Sequence, residues 1–564
     1  MIELLPAPLR RLATSAIYSR PDQLVRRVRL SVQRRLARAA SILLPLGARL
    51  SRPPHPALSA DLPLPVFPQR LDLVTRDGGK PYARILERTV SLSPRIDWRW
   101  PREHPGTRLD RLTLHYHEWA EALDDVELRH ALRDWIEGNP PYAPGYWRDA
   151  WNSYAVSIRG VVWLQQIAAR RGRLSPELEA TLARSIVAQV RFLIGNLELD
   201  IGGNHLVRNV KALLWAARAF NGPEAEAWGR RGVALLTAAV LPQILADGVH
   251  FELSPAYHAQ VLGDLLECLS VLPEGEARDR LRETVDRMAQ ALADLTHPDG
   301  HVSLFNDGGL HMAYAPSAIL GVHRRLGGGW VHPRPVAAMR DAGYFTSRTE
   351  DDLVVVDCGR LGPDELPAHA HGDALAFEWS LSGVRLVVDA GVLEYQGPMR
   401  AWSRATRSHN TVTLDDLDQA EFWAEFRMAR RPGVTVVSYV SDGPGFVLTG
   451  RHDGYAHLAG APIHERRFSV RPDRIAVADE IRGGAGQGAQ ARLLLHPDVA
   501  IERTPAGILL TSGPARARLT TASPLSVEPG IYAPDFGLRR KTRQLVLDYG
   551  RAPCRGAFTL ERIP

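Results

Sequence analysis

Hydrophobic positions along the chain change their spacing once, near residue 340. From about residue 108 to 330 they recur every three or four residues, in runs such as LRHALRDWIEG, SYAVSIRGVVWLQQIAARRG, LARSIVAQVRFLIGNL, VRNVKALLWAARAF, GVALLTAAVLPQIL, YHAQVLGDLLECLSVL and LRETVDRMAQALADL. That is the period of helices burying one face. Beyond residue 340 the pattern alternates, as in DLVVVDCG, ALAFEWSLSGVRLVVDAG, HNTVTLDD, VTVVSYV, ERRFSVRPDRIAVADEI and ILLTS, with SG, PDR and DG as turn signals. The expected order is an array of short antiparallel helix pairs, then a largely antiparallel β domain. Ahead of both, LSRPPHPALSADLPLPVFP at 50–68 reads as an extended proline-rich connector. The predicted division is a basic segment and linker over 1–68, a helical domain over 69–335 and a β domain over 336–564.

Charge adds a feature that the periodicity does not show. Residues 1–52 hold 11 Arg and no Lys against Glu3 and Asp22, a balance of +9, whereas the whole chain is +6, so the rest sums to −3. Within RPDQLVRRVRLSVQRRLARAASILL the apolar Leu24, Val28, Val32, Leu36 and Leu43 fall at helical spacing among arginines. This predicts a basic amphipathic helix able to touch anionic lipid at the membrane periphery, or to dock on its own domain. No nucleic-acid-binding signature accompanies it, so nucleic acid is not expected as a partner. The opening MIELLPAPLRRLATSAIY lacks a secretory pattern, and the three cysteines, Cys268, Cys358 and Cys554, make no disulfide framework or thiolate metal cluster. A cytoplasmic location is the expectation, with a periplasmic one as the alternative, and any metal site must use His and carboxylate.

Three stretches carry candidate chemistry. In DIGGNHLVRNV, Asn204 and His205 stand where a helix starts, and Asn204 reads as an N-cap after a Gly-Gly turn. In HFELSPAYHAQ, Ser254 and Pro255 read as N-cap and first helical residue, placing Tyr257 in the first turn and Glu252 just ahead. Helix starts gathered at one end of a helix-pair array make that end electropositive, which favours an acidic guest and would favour a phenolate over a phenol. In PAHAHGDALAFEW, His369, His371 and Asp373 share a short stretch before a strand, followed by Asp389 in VVDAGV and by Arg404, Arg407, His409 and Asn410 in RATRSHNTVTLDD. Two His and one Asp suit a borderline metal such as zinc. Taken singly, each of these residues has an ordinary structural reading.

As an ordered set, NHL opening a helix, FELSPAYH about fifty residues on, then HAHGDALAFEWSLSG, VVDAG and RSHNTV, the sequence resembles the heparinase II/III family over roughly residues 110 to 500. The resemblance implies an α+β multidomain fold: an incomplete (α/α) toroid followed by an antiparallel β-sandwich. It implies polysaccharide lyase chemistry on uronic-acid-containing glycans, with a C5 proton removed, O4 expelled and a 4,5-unsaturated sugar formed. By the same resemblance Tyr257 matches the catalytic tyrosine, Asn204 and His369 the groups that neutralise the uronate carboxylate, and His205 a helper beside the Asn. His371, Asp389 and His409 match the ligands of a structural zinc.

Neutralising the carboxylate is needed because removing the C5 proton creates a second negative charge. A tyrosine of ordinary pKa of about 10 needs help to act as a base, and for the opposite C5 epimer His205 or Tyr395 would act from the other face. Trp147 is a candidate for stacking on a sugar, and Arg159, Arg404 and Arg407 for pairing with carboxylates. Glu252 and Tyr395 complete the expected substrate-binding set. Two other readings stay open on the sequence: a uronate C5-epimerase using the same site, and a non-catalytic carbohydrate-binding component of a polysaccharide-synthesis system.

Overall fold

The computed structural model describes residues 6–43, 49–100 and 107–563. Residues 1–5 and 44–48 of the basic segment, and the side chain of Leu43, lie outside the described residues. The change of period near residue 340 is the boundary between two halves. Before it, helices Asp125–Gly138, Ser153–Ala169, Pro176–Gly195, Gly203–Ala219, Pro223–Leu235, Pro255–Val271 and Glu276–Asp294 form an incomplete toroid, in which the alternate helices Ser153–Ala169, Gly203–Ala219 and Pro255–Val271 pack side by side and each also packs on the helix that follows it. They share one core, in which Trp119, Trp135, Trp163, Trp215 and Trp228 are the largest fully buried rings. One predicted run breaks: GVALLTAAVLPQIL is helical only to Leu235, then passes through a π-helical turn and a 3-10 turn, because Pro242 removes a backbone donor and blocks the preceding carbonyl. A small antiparallel sheet over Val74–Ser91, which the helical pattern did not announce, precedes the toroid.

After residue 336 every named strand pairing is antiparallel. A five-stranded sheet runs in sequential order over 336–387, a four-stranded sheet joins 412–414, 488–494, 538–551 and 525–535, and an eight-stranded sheet covers 434–562. Alternate side chains meet between the sheets, with Phe377, Trp379, Leu448, Phe468, Leu493 and Leu545 in the shared core. The hairpin expected at Ser382-Gly383 forms there, both residues with positive φ as a tight two-residue turn requires.

The basic segment forms helix α1, Ala7–Ile17, and helix α2, Pro21–Leu43. They cross from one half to the other. Arg11 Nε donates to Glu421 Oε1 at 2.8 Å, Trp423 Nε1 donates to Ser15 Oγ at 3.1 Å, and Arg431 lies 3.9 Å over the Tyr18 ring, which fixes α1 to the β half. Gln33 Nε2 on α2 donates to Gly195 O and Asn196 Oδ1 of the toroid, both at 3.3 Å. Among the described residues no helix is long and apolar enough to cross a membrane.

Candidate active site

A cleft of about 1200 Å³ separates the two halves, lined by Asn204, His205, Glu252, Tyr257, His369 and Tyr395 together with Trp147, Tyr154, Arg208 and residues of α1–α2. The toroid supplies one wall. Helix α3, Gly203–Ala219, begins after a turn in which Gly202 and Gly203 both have positive φ. A Cβ on Gly203 would lie 2.3 Å from Glu252 Oε1 and 2.6 Å from Leu366 Cδ2, so only glycine lets Glu252 approach. Asn204 is not the N-cap that the sequence suggested, because Gly202 holds that place and Asn204 stands inside the first turn. Its backbone N–H donates to Glu252 Oε1 at 2.7 Å, so the carboxylate caps the helix while the side-chain amide reaches both Glu252 oxygens at 3.2 Å. Freed from capping, that amide also stands 3.4 Å from His369 Nε2. His205 turns the other way, with Nδ1 2.9 Å from Glu198 Oε1 and its ring 4.5 Å from that of Tyr154.

Helix α4, Pro255–Val271, starts as the sequence predicts: the Ser254 hydroxyl accepts the Tyr257 N–H at 3.1 Å with Pro255 at the first helical position. The same hydroxyl donates to the Asp307 carbonyl at 2.5 Å, tying this helix start to the loop that carries Asp307. The Tyr257 hydroxyl sits 2.5 Å from that of Tyr395, and its ring centroid 4.0 Å from His369. The expected phenolate is not found. Burial, reinforced by the Tyr395 hydroxyl, pushes the Tyr257 pKa well above the ordinary tyrosine value, because desolvation outweighs the field of one helix start.

The organising group of the β wall is Asp307, which the helical half supplies from the FNDGG loop that sequence reasoning passed over. Fully buried, its carboxylate receives His369 Nδ1 at 2.9 Å, His371 Nε2 at 2.8 Å and both terminal nitrogens of Arg400, one at 3.0 Å. Burial alone would raise its pKa; Arg400 and the two histidines hold it well below the usual carboxylate range. His369 bridges Asp307 to Glu252, whose Oε2 lies 3.1 Å from Nε2. Burial pulls the His369 pKa down, but Glu252 and Asp307 carry it up to about 9, so the ring is a cation at neutral pH. Burial likewise disfavours the Glu252 carboxylate, yet His369 brings it down to about 2. The two shifts describe one buried ion pair.

His371, two residues on, has the opposite character: burial takes it down to about 3, leaving a neutral ring. With Nε2 donating to Asp307, its Nδ1 keeps a free lone pair. His371, Asp373 and His409 bring ligand atoms within 4.8 Å of one another. His371 Nδ1, Asp373 Oδ1 and His409 Nε2 are buried without a hydrogen-bond partner. Three orphaned donor atoms converging in one place fit a metal ion. Asp373 brings a carboxylate beside the two histidines, and Asp389, the expected carboxylate ligand, accepts from His409 Nδ1 at 2.8 Å and so orients that ring. Burial lowers the His409 pKa but Asp389 lifts it to about 9, so cation binding here must displace a proton.

Trp147 and Tyr395 line the cleft as expected, and Glu252 lies in its floor bonded to Asn204 and His369. Three arginines do not line it. Arg159 is fully buried in the toroid core, bonded to Gln189, His115 O and Ala150 O and 3.9 Å over the Trp135 ring. Arg404 is buried behind the His369 stretch, donating to Ala370 O at 2.9 Å and to carbonyls of Glu425 and Arg427. Arg407 faces solvent in an ion pair with Asp416 at 2.7 Å. The arginine that does brace the site, Arg400, was not singled out; its one sequence signal is its place in the short helix Pro398–Arg404 before RSHNTV.

An incomplete toroid and a β-sandwich that share a Tyr–Asn–His cleft define the class, and the chain belongs to the heparinase II/III family. Residues 116–317 match the heparinase II/III N-terminus and residues 331–556 the heparinase II/III-like C-terminal domain. A heparin-sulfate lyase of Pedobacter heparinus is 29% identical over 242 residues, covering 38% of this chain and 36% of that relative. A heparin-sulfate lyase of Bacteroides thetaiotaomicron is 25% identical over 378 residues, covering 57% of this chain and 53% of that relative. The matched stretches thus span from about a third to about half of the lengths of these curated relatives. The crystal structure of heparinase III superposes with a TM-score of 0.68 at 19% identity, covering 83% of this chain and 79% of that one, a likeness of fold.

Proposed function

We propose that this chain is a lyase that cleaves uronic-acid-containing polysaccharides by β-elimination. The observation that carries the reading is the convergence of a protonated His369, the Asn204 amide and the Tyr257 hydroxyl in one cleft. A uronate carboxylate placed against Asn204 and His369 meets a cation that Glu252 and Asp307 have fixed in advance, so the enolate-like charge is stabilised without reorganisation. Tyr257 removes the C5 proton and returns it to O4, leaving the 4,5-unsaturated sugar. Because Tyr257 rests as a phenol, its phenolic proton must pass to solvent before it can take the C5 proton, and the positive His369 ring 4.0 Å away favours that ionisation. The heparin-sulfate lyase names of the relatives support an acidic glycan as substrate. The test is incubation with heparan sulfate, hyaluronan, alginate and bacterial acidic capsules, following the absorbance of the conjugated product. Silence on all of them sinks the lyase reading, and exchange of the C5 hydrogen without absorbance would indicate epimerisation instead.

Zinc is the metal this reading assigns to His371, Asp373 and His409, since two imidazoles and a carboxylate suit it. Its contribution would be a positive charge that braces the stretch carrying His369. Metal analysis of the purified chain should give one zinc, lost in His409→Ala; a metal-free protein with unchanged thermal stability after chelation would refute it.

The outer side of α2 supports a peripheral contact with an anionic lipid surface. Val25, Val28 and Leu36 are 69%, 65% and 62% exposed, with Val32 on the same side and Arg29 and Arg35 flanking the row. Full-length protein should sediment with phosphatidylglycerol vesicles but not with phosphatidylcholine vesicles, and Val28→Asp/Val32→Asp should abolish this. Equal binding to both, or none, argues against the contact.

A further inference from the structure

Helix α2 presents two different sides. Leu30 and Gln23 are buried beneath it, and at about 100° per residue Arg27 and Arg34 fall within roughly 60° of Leu30, on the side facing the molecule. Both line the same cleft as Tyr257 and His369. Most other cations that line the cleft are committed: Arg70 to Glu118 and Glu121, Arg84 to Asp72, Arg208 and Lys211 to Asp264, and Arg431 to Asp364, while Arg427 lies over the Trp423 ring and Arg108 lines the cleft from the start of the helix Arg108–Leu114. On α2 itself, Arg26 pairs with Asp22. Arg27 and Arg34 have no carboxylate within ion-pair distance among the described residues. Their field reaches Asp200, and that of Arg34 reaches Tyr146. Asp200 lies two residues before the Gly202-Gly203 turn that delivers Asn204, and Tyr146 adjoins Trp147.

We propose that Arg27 and Arg34 form an anion subsite of the cleft, which holds a sulfate or carboxylate on the sugar next to the one that reacts. This rests on the lyase reading for the position of the reacting sugar. Two guanidinium groups with no carboxylate in ion-pair contact among the described residues, beside an aromatic ring that can carry a sugar face, match an anionic pyranoside better than a neutral one. The contacts of α1 with Glu421 and Trp423 and of α2 with Asn196 hold the pair at a fixed height over the cleft. The basic segment is then part of the substrate site, and its two sides have different ligands.

The experiment uses the full chain with Tyr257→Phe as parent, so that ligand is not consumed. Binding of size-defined heparan sulfate, hyaluronan and alginate oligosaccharides, and of desulfated heparan sulfate, is measured by calorimetry. Arg27→Ala/Arg34→Ala should weaken the best acidic oligosaccharide by roughly tenfold or more and shrink the preference for sulfated over desulfated ligand. Arg27→Lys/Arg34→Lys should recover part of the loss. Arg29→Ala/Arg35→Ala removes the same charge from the outer side and should change binding less than twofold. On the otherwise wild-type chain the cleft-facing pair should raise KM with kcat within about twofold. The subsite is overturned if Arg27→Ala/Arg34→Ala binds like the parent, if the outer pair loses as much, or if the parent binds none of the four glycans. If binding follows the prediction but no glycan gives unsaturated product, the lyase reading falls and the anion subsite stands.

Discussion

The two walls of the cleft hold their reacting groups by different means. On the toroid wall backbone fixes side chain: Ser254 caps the turn that carries Tyr257, and Glu252 caps the turn that carries Asn204. On the β wall side chains fix one another: Asp307 joins His369, His371 and Arg400 from a position where neither helix nor strand runs. The same contrast separates two histidines that are two residues apart. His369, between two carboxylates, is carried up to about 9, whereas His371, sharing one carboxylate with an arginine, is taken down to about 3. One is equipped to meet an anion and the other to bind a metal. A wall built on helix caps should tolerate loss of a reacting group, while a wall built on a shared buried charge should not.

That contrast can be broken at graded cost. Tyr257→Phe should lower elimination by roughly 10²–10⁴-fold while the unfolding midpoint stays near wild type; parallel losses of rate and stability would erase the distinction. Asp307→Asn should remove about 3–5 kcal/mol of stability, because it leaves Arg400 and His369 as buried cations with one partner fewer. Chemical denaturation reads this directly, and a loss below about 1 kcal/mol would show that the β wall does not depend on it. Glu252→Gln tests the link between the walls through pH. The folded value of about 2 lies below the ordinary 4.5, so this group's contribution is present above pH 4.5 and lost as pH falls toward 2. It amounts to about 3 kcal/mol, and the variant should show a flatter decline of stability across that window.

The smallest effects come from a pair the sequence treated alike. Arg404→Ala should cost about 2 kcal/mol, since it strips donors from buried carbonyls behind the His369 stretch. Arg407→Ala should change stability by less than about 0.5 kcal/mol, and activity not at all, because an exposed ion pair contributes little. Thermal melts of the two variants side by side would decide, and equal shifts would contradict the burial difference.

Much of the toroid wall was legible in the sequence because its signals are local. Ser254-Pro255 before an apolar stripe, and Gly-Gly before Asn204, are start signals that act within one turn. The β wall was legible only in part. PAHAHGD announced a ligand-rich stretch, but which carboxylate completes the metal cluster depends on how residues 306–307, 369–373, 389 and 409 pack. The phenolate expected at Tyr257 failed for a related reason: a helix start is visible in sequence, whereas burial of the ring, and the Tyr395 hydroxyl more than a hundred residues away, are not. The arginines 159, 404 and 407 show the same limit, since charge is written in the sequence and burial is not.

The sequence by itself therefore determined the two-part architecture, the family, the helix starts that carry Asn204 and Tyr257, and the uneven charge of the first 52 residues. Only the tertiary structure decided that Asp307 is the hub of the β wall, that Asp373 lies beside the two histidines while Asp389 bonds His409, and that α2 turns Arg27 and Arg34 toward the cleft. Caps and periodicity act over a few residues along the chain. Shared protons, desolvation and metal geometry act across space, between residues whose separation in sequence says nothing of their distance.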